Sequence, residues 1–152
     1  MRNYTTQMNA ARQGIFTPEM KIVASKEYRT EEEIRDLVAK GQVAICANKL
    51  HTCIEPNGVG SMLRTKINVN LGVSRDCKDY DIEMKKVMAA VNMGAEAIMD
   101  LSSHGNTQPF RRKLTSECPA MIGTVPVYDS VIHYQRDLAT LTAKDFIDVV
   151  RL

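Results

Sequence analysis

Apolar and polar side chains alternate over KINVNL, residues 66–71, within a predicted strand at about residues 65–71. Ile67, Val69 and Leu71 fall on one face of an extended chain, while a lysine and two asparagines fall on the other. This alternation predicts a strand whose apolar face packs against helices, and Gly72 marks its end. The two asparagines on the opposite face, just before the turn, require a separate explanation.

Two further strand and helix patterns follow along the chain. DIEMKKVMAAVNMG has its apolar residues at helical spacing and ends at Gly94, and EAIMDLS then predicts a second strand. A helix over roughly residues 107–117 leads to a third strand, AMIGTVPVY, at about residues 120–128. After a loop, Thr142 and Asp145 form a box-like start for the helix LTAKDFIDVV. Alternating strands and helices predict an α/β fold with a parallel sheet.

The first 60 residues carry mainly helical patterns. In TPEMKIVASKE, Pro18 stands at a first helical position, and in RTEEEIRDLVAKGQ, Thr30 and Glu33 make a capping box. VAICAN predicts a short buried strand, and EPNGVGSM predicts a loop rich in proline and glycine. We therefore expect residues 1–60 to form a mainly helical region with a short strand, and residues 61–152 to form three β/α units.

Charge and composition exclude several classes of protein. The net charge of the 152-residue chain is +2, so nucleic-acid and membrane partners are not expected, and no apolar run reaches spanning length. We expect a cytoplasmic protein. The four cysteines contain no Cys-x-x-Cys pair and predict small buried or half-buried thiols. Three histidines lack a partner three or four positions away, so metal ligation is not expected from His51, His104 and His133.

Three residues occupy equivalent positions in the predicted strand–helix units. Asn70, Met99 and Tyr128 follow one another at intervals of 29 residues and lie near the ends of the three predicted strands. Ligands of parallel α/β proteins bind at the carboxyl ends of strands, because loops and helix N-termini converge there. Units of this length suit a (β/α)8 barrel, of which three units are less than half.

Longer motifs in the same segments resemble a known family. RTKINVNLGVSRD, GAEAIMDLSS and MIGTVPVYDS, with YTTQMNAARQGIFTPEM and VAICANKLH, are similar to segments of the thiamin pyrimidine synthase family. This family comprises phosphomethylpyrimidine synthase (ThiC) and its paralogue, 5-hydroxybenzimidazole synthase. The resemblance implies a dimeric (β/α)8-barrel lyase that rearranges 5-aminoimidazole ribonucleotide by radical chemistry. It also implies S-adenosylmethionine, a 4Fe–4S cluster and zinc as cofactors.

The resemblance assigns substrate contacts to Asn70, Met99 and Tyr128, the residues that the spacing also selects, and leaves the catalytic residues unknown. The amide of Asn70 can donate to and accept from an aminoimidazole edge. The sulfur of Met99 can lie against a flat heterocycle, and the hydroxyl of Tyr128 can reach a polar atom. The ordinary roles of these residue types are turn formation for asparagine and packing for methionine and tyrosine.

Nearby polar residues receive simpler roles. Asn68 is expected to make a hydrogen bond inside the barrel. Arg64 and Lys66 are expected to line a solvated entrance to the first strand rather than to hold a phosphate. Asp100 and Ser102 begin the loop after the second strand, where both residue types usually cap the local backbone.

The chain lacks parts on which the family's chemistry depends. The cluster motif Cys-x-x-Cys-x-x-x-x-Cys does not occur, and the family's metal-binding histidines lie on later strands, so no metal site is expected here. We therefore expect the chain to be inactive alone, as a fragment or as one part of a split protein that a complementing chain completes. Two alternatives stay open: a non-catalytic half-barrel partner subunit, and a phosphosugar-binding barrel fragment with unrelated chemistry.

The product is a further open choice. Family members that make the pyrimidine usually read Ser-Thr-Gly after the second strand and Tyr-Gln after the third, whereas this chain has SSHG and YD. These departures give weight to the paralogue, which makes 5-hydroxybenzimidazole for the lower ligand of cobalamin. The commoner activity, formation of hydroxymethylpyrimidine phosphate in thiamin biosynthesis, keeps first place.

Overall fold

A computed structural model describes residues 3–152, which form two compact units. The first unit extends through Lys66 and the second begins at Ile67. The domain boundary predicted after residue 60 stays a prediction, and the first two residues of the predicted N-terminal region lie outside the described range. No helix within residues 3–152 has the length and hydropathy needed to cross a bilayer.

The first unit consists of three helices and a two-stranded antiparallel hairpin. Its elements are α1 (Gln7–Arg12), α2 (Pro18–Glu27), α3 (Glu31–Ala39), β1 (Val43–Cys46) and β2 (Asn57–Gly60). The predicted start of α2 is confirmed, since the Thr17 hydroxyl caps it by accepting from the Met20 backbone N–H. The capping box of Thr30 and Glu33 is also present. The helices and β1 bury one apolar cluster: Ala10, Ala11, Met20, Val23, Ala24, Ile34, Val38 and Val43.

The hairpin corrects the expectation for EPNGVGSM. The sequence predicts a loop there, but Asn57–Gly60 form β2, which pairs with β1. Gly60 has a φ of 148°, and a Cβ at this position would lie 2.1 Å from the Gln42 carbonyl oxygen. Only glycine allows this approach, so the residues that predict a loop are those that let two strands pair closely. β1 is also less buried than predicted, because Ala44 is exposed.

The second unit is a three-stranded parallel sheet with helices between its strands. Its elements are β3 (Asn68–Leu71), α4 (Tyr80–Asn92), β4 (Ala97–Asp100), α5 (Gln108–Glu117), β5 (Met121–Thr124), α6 (Pro126–Tyr134), a 3₁₀ turn (Leu138–Thr140) and α7 (Ala143–Val150). The strand order is β3–β4–β5, and both neighbouring pairs are parallel. The predicted α/β fold with a parallel sheet is therefore confirmed, as is the capping box that begins α7.

One apolar cluster holds this sheet against α4 and α5. Its buried members are Met84, Val87, Ala90, Ala95, Ile98, Phe110, Leu114, Cys118 and Ala120. Val69 and Leu71 of β3 pack against the cluster, so they face the helices as predicted. Ile67 does not share this burial, because it precedes β3 and is 58% exposed.

The third strand is shorter than predicted. β5 ends at Thr124, and the residues from Pro126 onward form α6. Proline suits the first turn of a helix, where a backbone N–H would have no helical partner. The prediction that VPVY continues the strand is therefore wrong, and the segment predicted as a loop before α7 contains most of α6.

Candidate functional site

The face of the sheet opposite the helices carries the predicted substrate contacts of the first two strands. Asn70 of β3 is paired in register with Met99 of β4, and Met99 is paired with Gly123 of β5. Aligned residues on neighbouring strands point to the same face of a sheet. A Cβ at Gly123 would lie 2.7 Å from Cε of Met99, so the methionine side chain extends over this glycine. Asn70 and Met99 therefore lie side by side near the carboxyl ends of their strands.

Tyr128 does not lie at the level of Asn70 and Met99. Gly123 occupies that level on β5, 24 residues after Met99, whereas Tyr128 lies in the first turn of α6. The equal 29-residue intervals thus do not correspond to equal strand positions, because β5 ends before Tyr128 is reached. The tyrosine is 43% exposed. Contact between its hydroxyl and a substrate stays a prediction.

Asn68 makes a hydrogen bond to Asn70, while its expected place inside a barrel stays a prediction. Nδ2 of Asn68 donates to Oδ1 of Asn70 at 3.1 Å, between two exposed side chains on the same face of β3. This bond orients the Asn70 amide, and Nδ2 of Asn70 can still donate to another group. The two asparagines therefore form one polar pair at the end of the strand.

The loops that follow β3 and β4 are joined to one another. The Val73 backbone N–H donates to Oγ of Ser102 at 3.1 Å, and the Ser103 N–H donates to the Val73 carbonyl at 3.0 Å. Gly72 has a φ of 141°, and a Cβ there would lie 2.5 Å from the Ser102 nitrogen. Only glycine permits so close an approach. The two loops therefore form one connected structure at the carboxyl ends of the strands.

Glu83 on α4 is a fully buried carboxylate that the sequence did not single out. It is 0% exposed, and its Oε2 accepts from the Gly72 backbone N–H at 3.0 Å, which anchors the loop after β3. Its Oε1 accepts from Lys86, and this hydrogen bond raises the pKa of the lysine. Its helical position could have indicated that it is buried, because Glu83 shares the buried face of α4 with Val87 and Ala90.

A second group of charges, in which only Asp100 is fully buried, connects β4, α5 and α6. Asp100 is 0% exposed and accepts from the Ser102 backbone N–H at 3.0 Å, so the expected local capping is present. Its Oδ2 also accepts from Nε of Arg111 at 2.8 Å, while Nη1 of Arg111 donates to Asp129 at 2.7 Å. Burial alone lowers the pKa of Arg111, but the hydrogen bonds to both carboxylates outweigh it and raise the pKa. The sequence reasoning missed this bridge, since no local pattern joins the three positions.

Lys66 corrects the expectation of a solvated strand entrance. It forms a buried ion pair with Glu27 at the end of α2, and the side chains are 6% and 1% exposed. The Arg64 backbone N–H donates to the same carboxylate at 2.8 Å. Burial by itself raises the pKa of Glu27, but these hydrogen bonds, with Lys66 contributing most, hold it below its ordinary value. The prediction was wrong for Lys66 because its partner lies 39 residues earlier in the chain.

The side chains present do not fit a metal centre. Within residues 3–152, no group of three or more His, Cys, Asp or Glu side chains is placed to hold a metal ion. The cysteines lie in separate segments; Cys118 is buried and the others are half-buried, as predicted: Cys46, Cys53 and Cys77. Burial raises the pKa of the Cys46 thiol, which disfavours the thiolate that metals bind. The described residues therefore match neither an iron–sulfur cluster nor a zinc ion.

Replacing Gly123 with alanine should move the side chain of Met99 and leave the fold intact. The new Cβ would lie 2.7 Å from Cε and 2.8 Å from Sδ, both at the flexible end of the methionine, so the side chain rather than the backbone gives way. We expect the ¹³C-methyl resonance of Met99 to shift, that of the buried Met20 to stay, and the free energy of unfolding to change by less than about 1 kcal/mol. An unchanged Met99 resonance contradicts the contact with Gly123.

Comparisons with known proteins agree over nearly the whole chain. Residues 6–152 match the Radical SAM ThiC family. The chain is 57% identical over 148 residues to a phosphomethylpyrimidine synthase of Alkaliphilus oremlandii (strain OhILAs), which covers 97% of this chain and 34% of the relative. It is 55% identical over 149 residues to the enzyme of that name from Clostridioides difficile (strain 630). This match covers 98% of this chain and 34% of the relative. The chain spans about a third of the length of the curated relatives it matches.

Proposed function

Because the chain belongs to the Radical SAM ThiC family, we propose that it supplies part of the substrate site of a phosphomethylpyrimidine synthase. The observation that carries this proposal is the identity of 55–57% to curated enzymes of that name over 97–98% of the chain. The proposed reaction is the radical rearrangement of 5-aminoimidazole ribonucleotide to hydroxymethylpyrimidine phosphate in thiamin biosynthesis, a carbon–carbon lyase reaction.

We also propose that the second unit is part of a (β/α)8 barrel. The strands β3, β4 and β5, with the helices that follow them, are the first three units of a (β/α)8 barrel. Their parallel order and the cover of helices on one face support this assignment. In such a barrel the opposite face, with Asn70 and Met99, lines the interior near the carboxyl ends, where substrates of this fold bind.

Within this site we assign three contacts to the substrate. Asn70, whose Oδ1 already accepts from Asn68, donates from its Nδ2 group to an acceptor on the heterocycle. Met99 lies beside it in register and offers a polarizable sulfur to the flat ring. Tyr128 presents its hydroxyl from the first turn of α6 rather than from a strand. These residues bind and orient the substrate, and no proton transfer is assigned to them.

The family's cofactors are assigned no residues of this chain. The family description implies S-adenosylmethionine and an iron–sulfur cluster, which supply radical chemistry when bound. The described residues do not fit a cluster, so no step is derived through it. The part proposed for this chain is therefore substrate binding.

An anaerobic assay of the native full-length protein tests the proposed reaction. The protein is incubated with 5-aminoimidazole ribonucleotide, S-adenosylmethionine and a reductant, and the products are identified by mass spectrometry. Hydroxymethylpyrimidine phosphate is the expected product. Formation of 5-hydroxybenzimidazole overturns the product assignment in favour of the paralogue, and absence of both overturns the enzymatic proposal.

Substitutions at the assigned contacts should weaken substrate binding. In the native full-length protein, we expect Asn70→Ala and Tyr128→Phe each to raise the dissociation constant for 5-aminoimidazole ribonucleotide by about tenfold, the effect of losing one hydrogen bond of roughly 1.4 kcal/mol. Titration calorimetry measures this change. Asn92→Ala, on the exposed end of α4, is the matched control and should leave binding unchanged. Wild-type affinity in both site variants refutes the assignment.

A further inference from the structure

The bridge through Arg111 joins the two backbone segments that carry Met99 and Tyr128. Asp100, which Arg111 holds at 2.8 Å, is the residue after Met99 at the end of β4. Asp129, held at 2.7 Å, is the residue after Tyr128 in the first turn of α6. One guanidinium on α5 therefore connects the neighbours of two assigned substrate contacts.

The bridge approaches β4 from the side away from the candidate site. Successive residues of a strand point to opposite faces, so Asp100 points toward the helices while Met99 points to the opposite face. Arg111 thus reaches the strand without occupying the face that carries Asn70 and Met99. It acts on the candidate site only through the backbone of its partners.

The sheet does not fix Tyr128 relative to Met99. Tyr128 lies beyond the end of β5, so no hydrogen bond of the sheet sets its position. The N-terminus of α6 also lacks a side-chain cap, since Val125 stands at the N-cap. Two side chains from outside α6 make hydrogen bonds to Asp129 in its first turn: Arg111 at 2.7 Å and Thr107 at 3.5 Å. The Arg111 contact is the stronger of the two, because it is shorter and ionic.

The charges around Arg111 argue against a role in binding the substrate phosphate. One guanidinium between two carboxylates leaves a net charge of −1, so the group repels rather than attracts a substrate phosphate. Nη2 of Arg111 is also buried without a hydrogen-bond partner among the described residues. Geometry, rather than attraction of a phosphate, accounts for the arrangement.

We propose that Arg111 is a positioning residue that sets the spacing between Met99 and Tyr128, and that it thereby controls how tightly the heterocycle is held. This inference rests on the proposed function, in which both residues contact the substrate. A guanidinium suits the task because its planar fork holds two carboxylates at a fixed separation, which a lysine ammonium does not.

The test compares Arg111→Lys with Arg112→Lys in the native full-length protein. Arg112 is the next residue of α5 and is exposed, so its substitution controls for a change of arginine to lysine on this helix. We expect Arg111→Lys to raise the dissociation constant for 5-aminoimidazole ribonucleotide by about tenfold and Arg112→Lys to change it by less than about twofold. Wild-type affinity in Arg111→Lys overturns the proposal.

A pair of double-mutant cycles separates positioning from a general structural role. If Arg111 positions Tyr128, then Tyr128→Phe should weaken binding less in the Arg111→Lys background than in the wild type, because the hydroxyl is already displaced. Asn70→Ala should weaken binding by the same factor in both backgrounds, since the bridge does not hold β3. Additive effects in both cycles, or equal coupling in both, overturn the proposal.

Two further results complete the test. If Arg111→Lys does not fold, Asp129→Asn replaces it, because this change weakens the link to α6 and leaves the Arg111 pair with Asp100 intact. If Tyr128→Phe and Asn70→Ala have no effect in the wild-type background, the proposed substrate site is wrong and the positioning role falls with it. If they have their expected effects while Arg111→Lys and Asp129→Asn bind normally, only the positioning role is wrong.

Discussion

Replacing Lys66 with methionine should lower the free energy of unfolding by about 3 kcal/mol, because the change leaves a buried carboxylate without its main partner. The Glu27 side chain is 1% exposed and that of Lys66 is 6% exposed, so water cannot take over the lost interaction. The remaining contacts of Glu27 are the Arg64 N–H at 2.8 Å and the more distant Arg64 Nε at 3.8 Å. Methionine has a similar length, which limits any cavity. Urea unfolding followed by circular dichroism measures the change.

Lys26→Met is the matched control for this substitution. Lys26 pairs with Glu55 at 3.1 Å, but the two side chains are 28% and 68% exposed. An exposed ion pair contributes less than about 1 kcal/mol, so the control should have a small effect. Adding Glu27→Gln to Lys66→Met should restore part of the lost stability, since the buried charge is then removed. Equal losses from Lys66→Met and Lys26→Met contradict the buried pair.

The same pair predicts how stability depends on pH. The folded-state pKa of Glu27 lies below its ordinary value of 4.5, because the hydrogen bonds from Lys66 and Arg64 outweigh the opposing effect of burial. The stabilisation is therefore fully present above pH 4.5 and is lost as the pH falls through the folded-state pKa. The difference in unfolding free energy between wild type and Lys66→Met should shrink over that acidic range. A difference that does not change with pH contradicts the assignment.

Gly72→Ala should cost about 3 kcal/mol and separate the two loops at the carboxyl ends of β3 and β4. Gly72 has a φ of 141°, and the new Cβ would lie 2.5 Å from the Ser102 nitrogen and 2.8 Å from the Leu101 carbonyl carbon. Both are backbone atoms, so one loop must move. The hydrogen bond from the Val73 N–H to Ser102 should then be lost. Urea unfolding measures the stability, and faster hydrogen exchange of the Val73 amide reports the separation.

Gly94→Ala is a control that separates the cost of backbone strain from the cost of the steric clash at Gly72. Gly94 follows the C-cap of α4 and has a φ of 95°, and no atom lies within 4 Å of a Cβ built there. This substitution should therefore cost only the conformational strain of about 1 kcal/mol and leave the Val73 amide protected. If both glycine variants lose the same stability and retain the same exchange rates, the close approach of the loops is not what Gly72 provides.

Local features of the sequence predicted the helices well. The caps at Thr17 and Thr30 depend on hydrogen bonds within one turn, so the residues that make them are neighbours in the chain. The alternation of Val69 and Leu71 with polar residues likewise predicted the buried face of β3. The misreading of VPVY as strand has the same origin, because a short apolar run fits a strand and the first turn of a helix equally well.

The candidate site was predictable in part. Equal spacing predicted that Asn70 and Met99 share a level, and the register of β3 and β4 places them side by side. The same spacing failed for Tyr128, since it carries no information on where β5 ends. Sequence reasoning assigned Asp100 only a local capping role and did not single out Glu83 or Arg111, because the partners of these charged groups lie on other elements.

The sequence by itself determined the helix boundaries set by caps, the apolar faces that pack, and the motifs that identify the family. Only the tertiary structure decided which distant residues meet: Lys66 with Glu27, Arg111 with Asp100 and Asp129, and Gly72 with the loop after β4. The physical reason is the range of the interactions. Caps and periodic faces depend on residues within a turn or two, whereas buried ion pairs and loop contacts depend on the packing of whole elements.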